Sequence, residues 1–219
     1  MSLQDIEFPR DSAGALRNEP VQARSTARLT ALLDAAAAVV HDIGYERLTT
    51  AMVAERAGAS IGTVYRYFPD RIAVLQALAA RNLSRVLIQV SDEILDEKHG
   101  DWLSALNSAL GLIVEAFRSE PGFRGLRVGD VLDIRPSPQE RTFTSIVSDR
   151  LLDSLIARFG FADGPEVRFV FETAIEVSDS LATRAFARNA EGDEAFLVAG
   201  RELVYGMLVK QFGEVEITH

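Results

Sequence analysis

Residues 54–71 read AERAGASIGTVYRYFPDR. Inside this run, Gly58-Ala59-Ser60-Ile61-Gly62 has the G-x-S-x-G spacing of a hydrolase nucleophile elbow. An elbow needs a strand entering the turn, so that its serine stands at the edge of a parallel sheet. The entering segment here, TAMVAERA at 50–57, places Val53, Ala54 and Ala57 on one helical face, and no strand–helix–strand series surrounds it. The order serine, acid, histidine leaves His99 or His219 as the base, and His99 lies in EKHGD, which reads as a solvated loop. The elbow reading fails on its surroundings, and no catalytic residue is assigned.

The same residues fit two short helices joined by a tight turn. Thr49 caps the first and Gly58 ends it. Ser60 caps the second, whose inner face is Val64 and Phe68, and Pro69 stops it by pushing Phe68 out of the helical region. A small residue in the turn lets the two axes cross steeply, as a helix-turn-helix requires. The outer face of the second helix then carries Ser60, Ile61, Gly62, Thr63, Arg66 and Tyr67. Small residues at its tip suit entry into a major groove little wider than one helix.

Outward from this motif, apolar residues keep helical spacing almost everywhere. Leu29, Leu32, Leu33, Ala36, Val39, Val40 and Ile43 mark a preceding helix that ends near Gly44. Asp70 caps a long helix with Leu75, Leu78, Leu83, Val86 and Val90 on one face. Asp101 caps another, and two more cover residues 139–159 and 166–189, with a last one at 193–212. The stretch 121–138, rich in glycine and proline, reads as a short helix with loops. The expected class is all-α: a three-helix DNA-binding domain at 23–70, a larger helical domain at 71–219, and a mobile arm at 1–22. That N-terminus lacks the basic start and apolar stretch of a secretory signal.

Composition narrows the function. The 219 residues are 47% hydrophobic and contain no cysteine, which excludes thiolate zinc sites and cysteine nucleophiles. No run approaches the roughly 20 apolar residues of a membrane span, so a cytoplasmic protein with no membrane partner is expected. The net charge is −9, yet residues 20–86 hold eight arginines against five acids. A basic head on an acidic body meets phosphates with one end only.

The run GYERLTTAMVAERAGASIGTVYRYFPDRIAVL at 44–75 resembles the DNA-binding signature of the TetR family of transcriptional regulators. The resemblance is carried by Gly44, Tyr45, Thr49, Val53, Ala54, Gly58, Ser60, Gly62, Thr63, Val64, Tyr65, Tyr67, Phe68, Asp70 and Arg71, and it spans about residues 25–76. It implies Thr49 and Thr50 near the DNA backbone, Ser60, Ile61, Gly62, Thr63 and Arg66 facing the groove, and Tyr65, Tyr67 and Arg71 at phosphates. Ile61 stands where a polar residue is common, which favours apolar contact such as a thymine methyl. Arg71 replaces the commoner lysine, keeping the charge and changing the geometry. Arg66 is the one charged groove-facing residue of its helix and the candidate for reading guanine.

By the same resemblance, the C-terminal helices form a body that dimerises through its last two long helices and binds a small-molecule effector. Gly200 and Gly206 inside the final helix suggest close helix approach. Trp102, Leu106, Phe117, Phe123, Arg127 and Phe143 are the candidate ligand-lining residues, although aromatics at helical spacing are more often plain core than pocket. Arg124, Arg127 and Asp130 would orient a polar ligand group or face solvent. Glu172, Glu176 and Asp179 share a helix face, without a histidine nearby, so no metal is assigned and no cofactor is called for. The expected function is a homodimeric repressor that binds palindromic operator DNA and is released by its effector. The rivals are a regulator without an effector and an α-helical enzyme.

Overall fold

The computed structural model describes residues 19–128 and 142–215, and every regular element among them is helical. In order these are α1 (Glu19–Ile43), a 3-10 turn (Tyr45–Arg47), α2 (Thr50–Arg56), α3 (Ile61–Tyr67), α4 (Arg71–Leu95), α5 (Trp102–Ser119), α6 (Phe123–Val128), α7 (Phe143–Phe159), α8 (Pro165–Phe186) and α9 (Glu194–Phe212). Residues 19–22, expected in the arm, already belong to α1. No described helix is long and apolar enough to cross a membrane.

The local signals explain the boundaries. Thr49 accepts the Met52 amide at 3.2 Å, Ser60 the Thr63 amide at 3.1 Å and Asp70 the Ala73 amide at 2.9 Å. Asp101 accepts the Ser104 amide at 2.8 Å. Each such cap is worth about 1 kcal/mol. Phe68, before Pro69, is extended and closes α3.

The chain divides into two units. The first extends to Arg81 and takes in residues from Pro121 onward, so its border falls beyond residue 70, inside α4. Its core joins Leu32, Ala36, Val53, Val64, Leu75 and Leu78, all 1% exposed or less. The short helix α6 belongs here: Leu126 enters this core, and a side chain at Gly122 would press on the Ala37 carbonyl at 3.2 Å. Arg81 ties α4 to α1 through Asp34 at 2.6 Å.

The second unit holds residues 82–120 and 142–215 among those described. Phe171, Leu106, Leu151 and Leu155 are fully buried in it. Phe117 stacks on Phe186 at 4.8 Å, and Trp102 meets Phe212 edge-on at 5.4 Å. Arg168 of α8 gathers Asp163 at 2.8 Å, Asp153 at 2.9 Å and Asp149 at 3.3 Å, which neutralises part of the acidic surface around α7.

His99 is not solvated, contrary to the expectation from its sequence neighbours. It is 7% exposed, with Nε2 at 2.9 Å from Glu93 and Nδ1 at 3.0 Å from the Ser104 hydroxyl. Glu93 also accepts from Lys98 and from the Ser108 hydroxyl. Lys98, then Ser108 and His99, hold its carboxyl down to about 2 from an ordinary 4.5. A carboxyl lowered on folding stabilises the protein above its unfolded value, and that contribution is lost as pH falls toward the folded one. Glu93→Gln is therefore expected to lower stability by about 1–3 kcal/mol at neutral pH. The gap from the parent should close between pH 4.5 and about 2 in thermal melts. A gap constant across that range would rule out this role for the carboxylate.

Candidate nucleic-acid interface and effector cleft

α2 and α3 are locked by what they bury. Val53 and Val64 are fully buried, and Ala54 and Phe68 are at most 5% exposed. Gly58 turns the chain between the helices with φ +58°, a conformation other residues adopt at a cost. With that inner face fixed, Ile61, Gly62, Tyr65 and Arg66 form the exposed face of α3. Ile61 is 43% and Tyr65 54% exposed.

The remaining predicted residues surround this row. Thr50 donates to the Tyr65 hydroxyl at 3.3 Å, linking the start of α2 to α3. The Thr63 and Ser60 hydroxyls are 2.9 Å apart at the helix tip. The Tyr67 hydroxyl lies 3.2 Å from the Ser25 hydroxyl and donates to the Ser25 carbonyl at 3.4 Å, so the end of α3 rests on α1. Arg66 lies over the Tyr67 ring at 5.4 Å. Arg71 donates to the Glu46 carbonyl at 2.8 Å, which commits one of its five donors to bracing the 3-10 turn.

Sequence reasoning missed two neighbours. Arg24 and Arg28 of α1 line an open groove with Ser25, Arg66 and Tyr67. No ion pair among the described residues engages Arg24, Arg28 or Arg66. One turn of helix separates Arg24 from Arg28, so they share a face; their approach to α3 is a tertiary contact across 42 residues, as the Ser25–Tyr67 bond shows. The surface thus combines an exposed helix row with three clustered guanidinium groups.

The second unit contains a cleft lined from α5, α7, α8 and α9, with a volume of about 60 Å³. Of the six expected ligand-lining residues, Phe143 alone lies on it. The Trp102 indole donates to the Gly213 carbonyl at 3.2 Å, Leu106 is fully buried, and Phe117 is spent on Phe186. Phe123 and Arg127 are buried and belong to the first unit. Asp130 lies outside the described residues. Asn107, Gly111, Thr144 and Asp179 line the cleft instead. Gly111, a glycine inside α5, was the available sequence signal. Among the described residues no group of histidines and acids gathers as a metal site.

Comparison with known proteins agrees with both halves. Residues 32–78 match the model of bacterial regulatory proteins, tetR family, and residues 100–212 match the tetracyclin repressor-like C-terminal domain. The chain is 32% identical over 90 residues to the HTH-type transcriptional repressor KstR of Mycolicibacterium smegmatis, covering 41% of this chain and 43% of that protein. It is 27% identical over 135 residues to the nucleoid occlusion factor SlmA of Haemophilus influenzae, covering 60% and 59%. The chain thus spans less than two thirds of the curated relatives it matches. A crystal structure of a TetR-family transcriptional regulator from Streptomyces coelicolor superposes with a TM-score of 0.70 at 33% identity, over 84% of this chain and 99% of that one.

Proposed function

From the premise that this chain belongs to the TetR family, we propose that it is an operator-binding transcriptional repressor, homodimeric and released by a small molecule. The observation that carries the DNA-binding part is the exposed row of α3 standing beside Arg24, Arg28 and Arg66. The apolar tip and Arg66 read base edges, and Arg24 and Arg28 clamp phosphates at the groove's rim. Two copies would place their α3 helices in successive major grooves of a palindrome, roughly one helical turn apart. Thr49, Thr50, Ser60, Gly62, Thr63, Tyr65, Tyr67 and Arg71 keep their roles in this reading. Arg71 acts through a guanidinium already oriented by Glu46.

Phe169, Val198 and Leu203 are exposed on α8 and α9, and a second copy would cover them. A side chain at Gly206 would meet nothing within 4 Å in one chain, so its space is open to a partner helix. An effector that prefers one arrangement of the dimer would lower operator affinity by its differential affinity for that state. α4, which contributes residues to both units, would transmit the change. The rival regulator without an effector draws on the small volume of the cleft.

The test is fluorescence anisotropy on a duplex from upstream of the protein's own gene and on a scrambled duplex, across a salt series. Tight binding to the first, falling steeply with salt, is expected. Arg24→Ala with Arg28→Ala should weaken both duplexes alike and lower the salt slope by about four per dimer. Absence of binding to either duplex would sink the regulator reading. An unchanged slope would remove Arg24 and Arg28 from it.

A further inference from the structure

We propose that Ile61 reads the C5 methyl group of a pyrimidine in the major groove. Each operator half-site then carries a thymine at that position, and 5-methylcytosine substitutes for it where cytosine does not. The inference rests on the operator-binding reading above and names the chemical group that one position of the operator must present.

Three observations carry it. The first is where Ile61 stands. It lies outside the buried core of its unit, on the exposed row with Gly62, Tyr65 and Arg66. Tyr65 follows it by four residues, so the two side chains are neighbours on one helix face. The Tyr65 hydroxyl accepts from Thr50 at 3.3 Å, which ties that ring to α2. The pair forms an apolar stripe on a surface whose cations, Arg24, Arg28 and Arg66, favour phosphate.

The second is what the flanking polar groups already do. The Ser60 and Thr63 hydroxyls lie 2.9 Å apart, so one proton of the two stays within the pair. Ser60 Oγ also accepts the Thr63 amide at 3.1 Å. An aliphatic side chain is thus the main group presented at this end of α3. The third is Gly62. A Cβ there would meet only Ser60 Oγ, at 3.9 Å, and its absence lets the backbone beside Ile61 come close to base edges.

The chemistry of the bases then decides the partner. An isoleucine side chain has no hydrogen-bonding atom. Over a guanine, an adenine or the amino group of cytosine it would strip water from a polar edge and replace no hydrogen bond. Thymine alone of the four bases presents an apolar group in the major groove, its C5 methyl. 5-Methylcytosine carries the same methyl at the same ring position. Burial of one methyl against Ile61 corresponds to about fourfold in affinity per half-site and about 15-fold in a dimer.

The experiment selects duplexes bound by the full chain from a random pool, then measures affinities by fluorescence anisotropy. Each symmetric pair of thymines in the selected operator is replaced in turn by deoxyuridine, which lacks only the methyl. At one such pair, affinity should fall about 15-fold. Cytosine there should bind more weakly still, and 5-methylcytosine should regain at least about threefold over cytosine. Ile61→Ala should bind the thymine and uracil forms within about twofold of each other. Ile61→Val, which keeps a branched apolar side chain, should preserve the preference. A flat uracil scan overturns the proposal, as does 5-methylcytosine binding no better than cytosine. So does a penalty that Ile61→Ala leaves intact, because the methyl then acts through another residue or through DNA shape. Circular dichroism checks that Ile61→Ala folds, and the scan on the unsubstituted protein stands as a test if it does not. A chain that selects no duplex refutes operator binding and this inference together. One that binds its operator with a flat scan refutes this inference alone.

Discussion

Arg66→Ala is expected to lower affinity for the palindromic operator by between about 30-fold and about 10⁴-fold. A bidentate arginine–guanine contact carries about 1–3 kcal/mol, and a dimer makes it twice. The side chain is already held in place, since its guanidinium lies over Tyr67, whose hydroxyl is anchored on Ser25. A prepositioned guanidinium loses less freedom on binding than a mobile one. The structure also supplies the competing assignment, because Arg66 shares its groove with Arg24 and Arg28. A phosphate anchor and a base reader separate cleanly in a salt series with operators altered one base pair at a time. If Arg66 reads a base, the variant loses its preference at one symmetric position and keeps the salt slope of the parent. If it anchors phosphate, all sequences weaken together and the slope falls by about two per dimer. Base reading would then pass to Ile61, whose exposed side chain suits a thymine methyl. Circular dichroism should show no change, since Arg66 is exposed and contributes nothing to the buried core.

What the sequence disclosed, it disclosed through short-range chemistry. Thr49, Ser60, Asp70 and Asp101 are caps because a side-chain oxygen two or three residues ahead of an amide satisfies it locally. Pro69 restricts the backbone of Phe68 before it, and Gly58 permits the positive φ that the turn needs. These signals survive in one dimension, and together they delivered the helix-turn-helix and the all-α class. The misses are tertiary. His99 sits in a charged string that looks solvated, yet Glu93 before it and Ser104 after it fold back to enclose it. Arg24 and Arg28 are ordinary surface arginines until α1 meets the end of α3. The aromatics chosen as ligand contacts were large residues at helical spacing, and Trp102 and Phe117 went to the core, as size and apolarity favour. The cleft draws its lining from α5, α7, α8 and α9, a meeting of distant segments that no single stretch of the sequence displays.

Leu203→Glu is expected to convert a dimer of twice 24.0 kDa into a monomer in sedimentation at micromolar protein, with operator binding lost at the same concentrations. Leu203 is 47% and Phe169 70% exposed, and burial of such a side chain is worth about 1.5–3 kcal/mol. In a two-fold interface each residue counts twice. One substitution therefore removes two apolar contacts and places two carboxylates where they lack partners, a cost of several kcal/mol and a weakening of at least about a hundredfold. Gly206, one turn further along α9, has no neighbour within 4 Å of its Cβ position and leaves room for a second helix to approach. The operator effect follows because a monomer holds one recognition helix and forfeits the second half-site. Ile88→Glu is the decisive control. Ile88 is 62% exposed and apolar, but it belongs to α4 and not to the last two helices. It should leave the dimer intact. A monomer from Ile88→Glu and a dimer from Leu203→Glu would move the interface to α4, whereas the expected pair of results fixes α9 as part of the surface by which two recognition helices are held in register.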